Sequence, residues 1–454
     1  MIIRETDMAN IEIEKGAKAA LSHAGIIKNE IDEFLISEQR KLMIIGQRYY
    51  LNHSDIEKKS RVLSNGLPIK NRSNVKLEHG FVRKLVDQKV GYLLAKLPSV
   101  SPCGEKGEEL LERMSRDVLD REFWRMLKQV GKEAINKGIG WVQLYFENGV
   151  LRFCLVPTEE VIPLWADGGH TLLDGIIRVY DIVVYEGKKK SSMTKAEYWS
   201  KDGVEYYIVD KENLVCDYER SENEVNPHFY INGEGYNWDG VPFVPFRYND
   251  SEQPIIDTIK SLVDNYNYQT SVNADMLADL PKFVYKLIGY GGTDLGEFVS
   301  DLQQYMAVKL QSDGDVQKLE SSPNTEAVES VIKFARKDIY EFGRGVDSQS
   351  EHFGSASGEA LKFRFADLDM DCNIMESEFQ YSIELLMRFI RQYYKMLGTD
   401  FCNGSINVTF NRDHIISERE VIENCKNSVG ILPMRQIREN HPWSNGETEE
   451  YMDI

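Results

Sequence analysis

The sequence predicts a mostly helical α+β protein, and three observations carry this prediction. The chain has 454 residues, of which 42% are hydrophobic and 28% charged, and only 13 are Pro. This composition is typical of a folded chain with roughly three structural units of about 150 residues each. Apolar residues recur at helical intervals near both ends of the chain, whereas in the middle they alternate with polar residues, as in strands. We therefore expect helical regions on either side of a β-rich unit.

Three helical regions precede the expected strands. Apolar spacing predicts a helix over 26–50 and a second over about 81–94, which Pro98 and Pro102 close. A third helical pattern runs over about 108–137, and the glycines that follow end it. The apolar positions of the first two patterns are Ile31, Leu35, Leu42, Ile45, Tyr49, Phe81, Leu85, Val86, Val90, Leu93 and Leu94.

Strands are expected over about 139–250. The runs 141–146 and 150–156 alternate in hydrophobicity and flank Asn148-Gly149, a dipeptide typical of a tight hairpin. Further strand-like runs follow as far as 243–249 and are broken by Gly, Asn and Asp. We therefore expect an antiparallel β-rich unit here.

Two long helices are expected to bracket a small αβ insert. Helical stripes predict one helix over 254–280 and another over 323–342. The insert over 281–322 contains a strand-like run at 282–288, a helix, and a hairpin. The hairpin arms are the runs AVKLQS and DVQKLE, which meet at Asp313-Gly314.

A Gly/Ser-rich segment separates the second of these helices from a very long one. Residues 343–358 hold four Gly and four Ser, a composition that favours a flexible loop. The pattern over 359–397 predicts a helix of roughly 58 Å at 1.5 Å per residue. A strand at 406–412, a helix over 417–428 and a final helix are expected to complete the chain.

Charge and motifs exclude several function classes. There are 54 basic and 73 acidic residues, so the net charge is −19, which argues against a tight grip on nucleic acid. No phosphate loop, zinc-protease motif or nucleophile elbow occurs, so we expect no enzyme, no cofactor and no metal. The six scattered cysteines are expected to be buried free thiols. Apolar runs are too short for a membrane helix, and the acidic start predicts no signal peptide.

Two patterns carry a functional interpretation beside a plainer one. Asp367, Asp369, Asp371 and Glu378 match positions of a calcium loop, but Cys372 stands where the sharp turn needs Gly, and the segment lies in a helical pattern. A solvated helix face is therefore the favoured interpretation. The basic residues Lys333, Arg336, Lys337 and Arg344 form either a solvated face balanced by acids or a weak DNA-facing stripe.

This order of elements resembles that of the portal proteins of tailed bacteriophages, particularly those of siphoviruses of Gram-positive hosts. Individual stretches are similar as well, across about residues 27–445. They are QRYYLNHSDI (47–56), HGFVRKLVDQKVGYLLAK (79–96), LVPTEEVIPLW (155–165), VPFVPFRYND (241–250) with the following IKSLVDNYNYQTS, and SASGEALKFRF (355–365).

The resemblance implies a portal fold with wing, stem, clip and crown regions that form a ring. The wing would comprise 1–250 and, with the long helix and return strand, 359–411. The stem helices would be 251–280 and 323–342, the clip 281–322, the tunnel loop 343–358 and the crown 412–454. The implied DNA-facing candidates are Arg344, Ser350, His352, Phe353, Lys333, Arg336 and Lys337, and the implied clip turn is Asp313-Gly314.

The resemblance also implies function and partners. A dodecameric ring at one capsid vertex would pass double-stranded DNA, weakly bound, during packaging and ejection. Its implied partners are the terminase large subunit, the major capsid and scaffolding proteins and the head–tail adaptor. The protein would be assembled in the host cytoplasm and belong to the virion. Two alternatives remain at this point: a metal-dependent nuclease built on Asp367, Asp369 and Asp371, and a generic intracellular scaffold.

Overall fold

The computed structural model describes residues 22–62, 67, 72–147, 149–211, 213–221, 223–231, 233–279, 284–288, 296, 300, 304, 315–319, 325–349, 358–401, 404–412 and 418–443. The chain divides into two compact units. The first comprises Met1–Asn52, Gly80–Lys260 and Tyr340–Ile454, and the second His53–His79 and Ser261–Ile339. Helices and strands are both present, so the expected α+β class is confirmed.

The first predicted helix is two helices, α1 (His23–Ile36) and α2 (Glu38–Tyr50). Ser37 separates them in an extended conformation. Its hydroxyl accepts a hydrogen bond from the Arg40 N–H at 3.1 Å, which caps α2. The break means that each helix buries its own face and that one apolar stripe does not continue through both. Helix α1 buries Ile27, Ile31 and Phe34, whereas Leu35, predicted in the stripe, is exposed.

The third predicted helical region is also divided. Helix α3 (Phe81–Leu94) agrees with the sequence prediction, and α4 (Gly107–Asp117) and α5 (Arg121–Lys137) follow. Asp120 caps α5 by accepting a hydrogen bond from the Phe123 N–H at 2.8 Å. Gly138 ends α5 at a φ of +89°, and a Cβ there would meet the Glu252 carbonyl oxygen at 1.9 Å, so glycine is required.

The middle of the first unit is β-rich, as predicted. One antiparallel sheet has the order β11-β2-β3 and a second the order β4-β5-β6-β7-β8. Glu147 pairs with Val150 and Gly149 has a φ of +79°, which confirms the predicted hairpin. The strands are β2 (Ile139–Glu147), β3 (Val150–Val156), β4 (Val161–Trp165), β5 (Leu173–Glu186), β6 (Lys189–Ser200), β7 (Gly203–Val209), β8 (Leu214–Cys216) and β11 (Phe243–Arg247).

The chain also contains short two-stranded sheets and 3₁₀ turns. Strand β1 (Ser99–Cys103) pairs with β14 (Ser405–Thr409), and β9 (Phe229–Ile231) pairs with β10 (Glu234–Tyr236). The 3₁₀ turns are Asp55–Lys58, which lies in the second unit, and Thr158–Glu160. The expectation of buried thiols is right for Cys372 and Cys425 and wrong for Cys103, which is exposed on β1. Cys154 and Cys216 are half-buried.

The long helices agree closely with the predicted bounds. Helix α6 is Ile255–Asp279, α7 is Thr325–Phe342 and α8 is Gly358–Met396, 39 residues long. Helix α8 packs on β11, where the Ser382 hydroxyl donates to the Pro245 carbonyl at 2.6 Å. Its buried apolar residues include Leu368, Met375, Phe379, Leu386, Met387 and Ile390.

Strands of the predicted insert pair over a long sequence distance. Strand β12 (Val284–Ile288) is antiparallel to β13 (Asp315–Leu319), with Val284 opposite Leu319. The other predicted hairpin arm, 307–312, and the turn Asp313-Gly314 lie outside the described residues. In the tail, α9 (Glu418–Asn427) agrees with the helix predicted over 417–428, and a short helix α10 (Met434–Glu439) follows. The final helix was predicted to end in the acidic run ETEEYMDI, which lies outside the described residues. In the part of the chain that the structure describes, no helix is long and apolar enough to cross a membrane.

Candidate functional site

The basic residues predicted to face DNA divide into two groups. Lys333, Arg336 and Lys337 lie on α7, where Lys333 and Lys337 are exposed and Arg336 is half-buried. The same helix buries Ala335 and Ile339 on its other side. These three cations therefore lie on or beside the solvent face of α7. The apolar stripe that predicts this helix includes Val331 and Phe342, and it is wrong at these two positions because both side chains are exposed.

Arg344 is separate from that group, because the chain reverses just after α7. Arg344 has a φ of +48°, a left-handed conformation common where helices end. The Gly345 N–H donates to the Tyr340 carbonyl at 2.8 Å, which completes the helix terminus. Half of the Arg344 side chain is exposed, and its guanidinium lies 3.4 Å from an oxygen of Asp371. The structure thus places Arg344 beside a carboxylate of α8.

Asp371 is the centre of a buried charge network. Its Oδ2 atom accepts from Lys89 Nζ at 2.6 Å and from the Tyr248 hydroxyl at 2.6 Å. Lys89 also donates to the Arg344 carbonyl at 3.1 Å. Burial, and then the charge of Asp371, raise the pKa of Tyr248 well above its ordinary value, so this hydroxyl keeps its proton and donates. One carboxylate therefore joins α3, α8, the residue after β11 and the second residue after α7.

The calcium-like pattern lies within helix α8, as expected. Asp369 accepts hydrogen bonds from Tyr92 and Arg412, at 2.7 and 3.2 Å, whereas Asp367 is exposed. Asp371 is buried and Glu378 lies 3.7 Å from Arg247. The expectation of a wholly solvated face is wrong for Asp371, because the Lys89 ammonium compensates its burial. Among the described residues, no group of three metal-ligating side chains comes together.

The root of the predicted tunnel loop is anchored on α3. Val346 is buried, its N–H donates to Gln88 Oε1 at 2.9 Å, and its carbonyl accepts from Gln88 Nε2 at 3.0 Å. A Cβ on Gly345 would meet Leu85 Cδ2 at 2.1 Å, so glycine permits this close approach. The expectation of a flexible loop from residue 343 onward is therefore wrong as far as Val346. The candidates Ser350, His352 and Phe353 lie outside the described residues.

The second unit contains a polar ladder that the sequence did not predict. Asn267, Ser271 and Asp275 are buried and lie four residues apart on α6. Their side-chain oxygens accept hydrogen bonds from alternate backbone N–H groups of an extended segment. The pairs are Asp275 with Val75 at 2.7 Å, Ser271 with Leu77 at 2.9 Å and Asn267 with His79 at 3.1 Å.

The ladder forms because the spacing of every fourth residue along a helix matches the spacing of every second residue along an extended segment. Four helical residues rise about 6 Å, and two extended residues rise about 6.6 Å. At the Asp275 end of the ladder, Lys59 forms an ion pair with Asp275, and both side chains are nearly buried. The Ser73 hydroxyl also donates to Asp275, at 3.0 Å. Burial alone would raise the pKa of Asp275, but the hydrogen bonds from Lys59, Val75 and Ser73 outweigh it and hold that pKa below its ordinary value. Polar residues repeating every four positions in an otherwise apolar stripe were the signal available in the sequence.

Comparison with known proteins decides the family. A family described as phage portal protein, SPP1 Gp6-like, matches residues 36–454. The chain belongs to this portal protein family. The resemblance inferred from the sequence is thereby confirmed, and membership favours a portal function over the nuclease and scaffold alternatives.

Named relatives and solved structures are similar to different degrees. The portal protein of Clostridium phage phiCD119 is 30% identical over 426 residues, which cover 89% of this chain and 90% of that protein. The portal protein of Bacillus phage SPP1 is 26% identical over 458 residues, covering 99% and 89%. A chain in the virion of a native gene transfer agent particle is 12% identical with a TM-score of 0.42, covering 79% of this chain and 87% of its own.

Proposed function

We propose that copies of this chain form a closed dodecameric ring at one vertex of a phage head, and that double-stranded DNA enters and leaves through its central channel. Family membership over residues 36–454 is the observation that carries this proposal. Identical chains in head-to-tail contact close into a ring when the rotation between neighbours divides a full turn. Such contacts also give exposed parts of long helices a second surface to pack on.

The elements of the chain correspond to the regions of such a ring in the following way. Residues 1–250 and 359–411 form the wing, α6 and α7 the stem, and 281–322 the clip. The segment 343–358 is the tunnel loop, rooted by Val346, and 412–454 form the crown. Pairing of β12 with β13 supports a clip made of strands, since such a small sheet gains stability by adding strands from neighbouring subunits.

Partners are assigned by region. The wing meets the major capsid and scaffolding proteins, and the clip docks first the terminase large subunit and later the head–tail adaptor. The ring is assembled in the host cytoplasm and remains in the virion. The protein supplies a passage and a platform, and the packaging motor supplies the ATP hydrolysis.

Weak contact with DNA is a requirement of this function. Dense pairing of phosphates with Lys and Arg would hold the duplex and oppose its movement. The net charge of −19 suits a channel that DNA slides through. Lys333, Arg336 and Lys337 offer a sparse basic face on α7, and the tunnel loop offers Ser350, His352 and Phe353. Arg344, by contrast, mainly secures the loop root through Asp371.

Genetic complementation tests the proposal. A phage whose copy of this gene is interrupted should make heads without nuclease-protected DNA, and the full-length protein supplied in the host should restore DNA-filled heads. An empty plasmid is the matched control. Normal yields of DNA-filled heads in the absence of the protein would contradict a portal function.

A further inference from the structure

Strands β5 and β6 extend well beyond their neighbours in the five-stranded sheet. Strand β4 pairs with β5 only as far as Arg178, and β7 pairs with β6 only from Lys195 onward. Among the described strands, β5 and β6 pair with each other alone from Asp181 opposite Thr194 up to Glu186 opposite Lys189. Residues 181–194 thus form a two-stranded ribbon, which we call the wing ribbon, roughly 20 Å long at 3.3 Å per residue.

Both faces of the wing ribbon carry apolar side chains. Val183 and Tyr185 point to one face and are 55% and 66% exposed. Ile182 and Val184, on the other face, are half-buried, and Met193 lies opposite Ile182. An isolated two-stranded ribbon is only marginally stable in water, and its outer edges present unpaired backbone groups. The ribbon therefore has the character of a surface that is covered in the working assembly.

The tip of the wing ribbon is strongly basic. Gly187 turns the chain at a φ of +65°, and Lys188, Lys189 and Lys190 follow it. All three lysines are exposed, and no described acidic side chain is shown to pair with any of them. This cluster contrasts with the net charge of −19 for the whole chain. A ribbon with apolar strands and a basic tip is complementary in charge to an acidic protein surface that can also cover apolar side chains.

We propose that the wing ribbon docks on a second copy of this chain and forms part of the contact between neighbouring subunits. The inference rests on the proposed ring and names one of its interfaces. Each copy offers the basic ribbon to an acidic neighbour, so unlike surfaces meet, which is the head-to-tail contact that a ring needs. A protein partner is favoured over DNA because phosphates would satisfy the lysines but leave the aliphatic side chains on both faces uncovered.

Photo-crosslinking in the purified full-length protein tests the contact. A benzophenone amino acid replaces Tyr185, and in a matched control it replaces Tyr218, which is 81% exposed and lies outside the ribbon. After irradiation, Tyr185 should yield covalent dimers and higher species on a denaturing gel, at least tenfold more than Tyr218. Mass spectrometry of the linked peptides should identify this same chain.

Charge reversal gives a second, independent readout. Lys189→Glu with Lys190→Glu should raise the protein concentration needed for ring assembly by about tenfold, since attraction to an acidic neighbour becomes repulsion. Lys201→Glu with Lys211→Glu reverses two exposed turn lysines of the same sheet and should leave assembly unchanged. Both variants alter exposed side chains only, so folding is expected to persist and is checked by circular dichroism.

The outcomes separate this proposal from the portal function. Rings that form normally but give no crosslink from Tyr185, or that tolerate the Lys189/Lys190 reversal, would overturn the ribbon contact and leave the portal function standing. Crosslinks from Tyr185 to DNA, or only to another protein in particle lysates, would also overturn it. Failure of the unmodified protein to form rings at all would refute the proposed ring and this contact together.

Discussion

Asp371 shows how a single side chain can hold distant parts of a chain together. Its carboxylate contacts Lys89 and Tyr248 within 2.6 Å and Arg344 at 3.4 Å. A buried ammonium beside a buried carboxylate is tolerated because each compensates the desolvation of the other. Removal of one partner leaves the other charged and unpaired in the interior.

Asp371→Asn should therefore lower the free energy of unfolding of the first unit by roughly 3–5 kcal/mol, because Lys89 loses its counter-charge. Denaturant unfolding followed by tryptophan fluorescence measures the change. Asp367→Asn, on the exposed face of the same helix, is the matched control and should change stability by less than about 0.5 kcal/mol. Equal effects of the two substitutions would show that the buried pair does not stabilise the fold.

Asp275 should make the polar ladder, which binds the extended segment 75–79, sensitive to acid. Its native pKa is lowered, so the carboxylate stabilises the fold fully above the unfolded pKa of about 3.9, and this contribution is lost as pH falls through the native value. Hydrogen exchange at the Val75 and Leu77 amides, measured from pH 7 down to pH 3, should show protection that falls at the acid end beyond the intrinsic pH dependence.

Asp275→Asn should remove much of that protection at pH 7 and make the remainder independent of pH in this range. Asn273→Ala, a neighbouring position on α6, is the control and should retain the wild-type profile. Unchanged protection of Val75 in Asp275→Asn would show that the ladder does not hold the segment.

Residue roles were the least predictable part of the site. Arg344 remains a predicted DNA-facing residue, but the sequence did not predict that its guanidinium lies beside Asp371 and its carbonyl beside Lys89, 255 positions earlier. Helical periodicity carries no information about such distant partners. The Asn267, Ser271 and Asp275 ladder was visible as a spacing, but the extended segment that binds it has no pattern of its own.

At the scale of elements, the sequence predicted the long helices well. Their apolar stripes are sustained over many turns, so α6, α7 and α8 agree with the predicted bounds within one to two residues. The breaks at Ser37 and Asp120 were missed because the apolar pattern continues across them, and only a capping side chain marks each break. The pairing of β12 with β13 was missed because strand partners far apart in sequence leave no local signal.

The predicted tunnel loop begins with an anchored residue, Val346, and its later residues 350–353 include the predicted DNA contacts. Deletion of 346–353 removes Val346, whose burial stabilises the fold by roughly 1.5–3 kcal/mol, so this deletion should destabilise the protein. Deletion of 350–353 keeps the anchor on Gln88 and should leave folding and ring formation unchanged while it blocks packaging or genome retention. Thermal unfolding and nuclease-protected DNA per head measure the two effects.

Two outcomes of the 350–353 deletion would contradict this prediction. DNA-filled heads at normal yield with the 350–353 deletion would show that this part of the loop is a passive linker. Loss of the ring with the same deletion would show that the loop belongs to a subunit interface.

At the scale of the whole molecule, the net charge and the exposed apolar surfaces both favour a ring-shaped channel that binds DNA weakly. A chain with net charge −19 repels a phosphate backbone at long range, and salt screens that repulsion within about 8–10 Å at physiological ionic strength. A channel built from such chains guides DNA by shape more than by attraction. Helices α6 and α7 expose apolar side chains, among them Tyr268, Leu277 and Phe334, and contacts between neighbouring subunits in the proposed ring would cover such surfaces.

Negative-stain electron microscopy of the purified full-length protein tests the central claim most directly. The account predicts ring-shaped particles with a central hole wide enough for a DNA duplex and with twelvefold averages. Particles that remain monomeric at every protein concentration and salt, or compact oligomers without a hole, would contradict it.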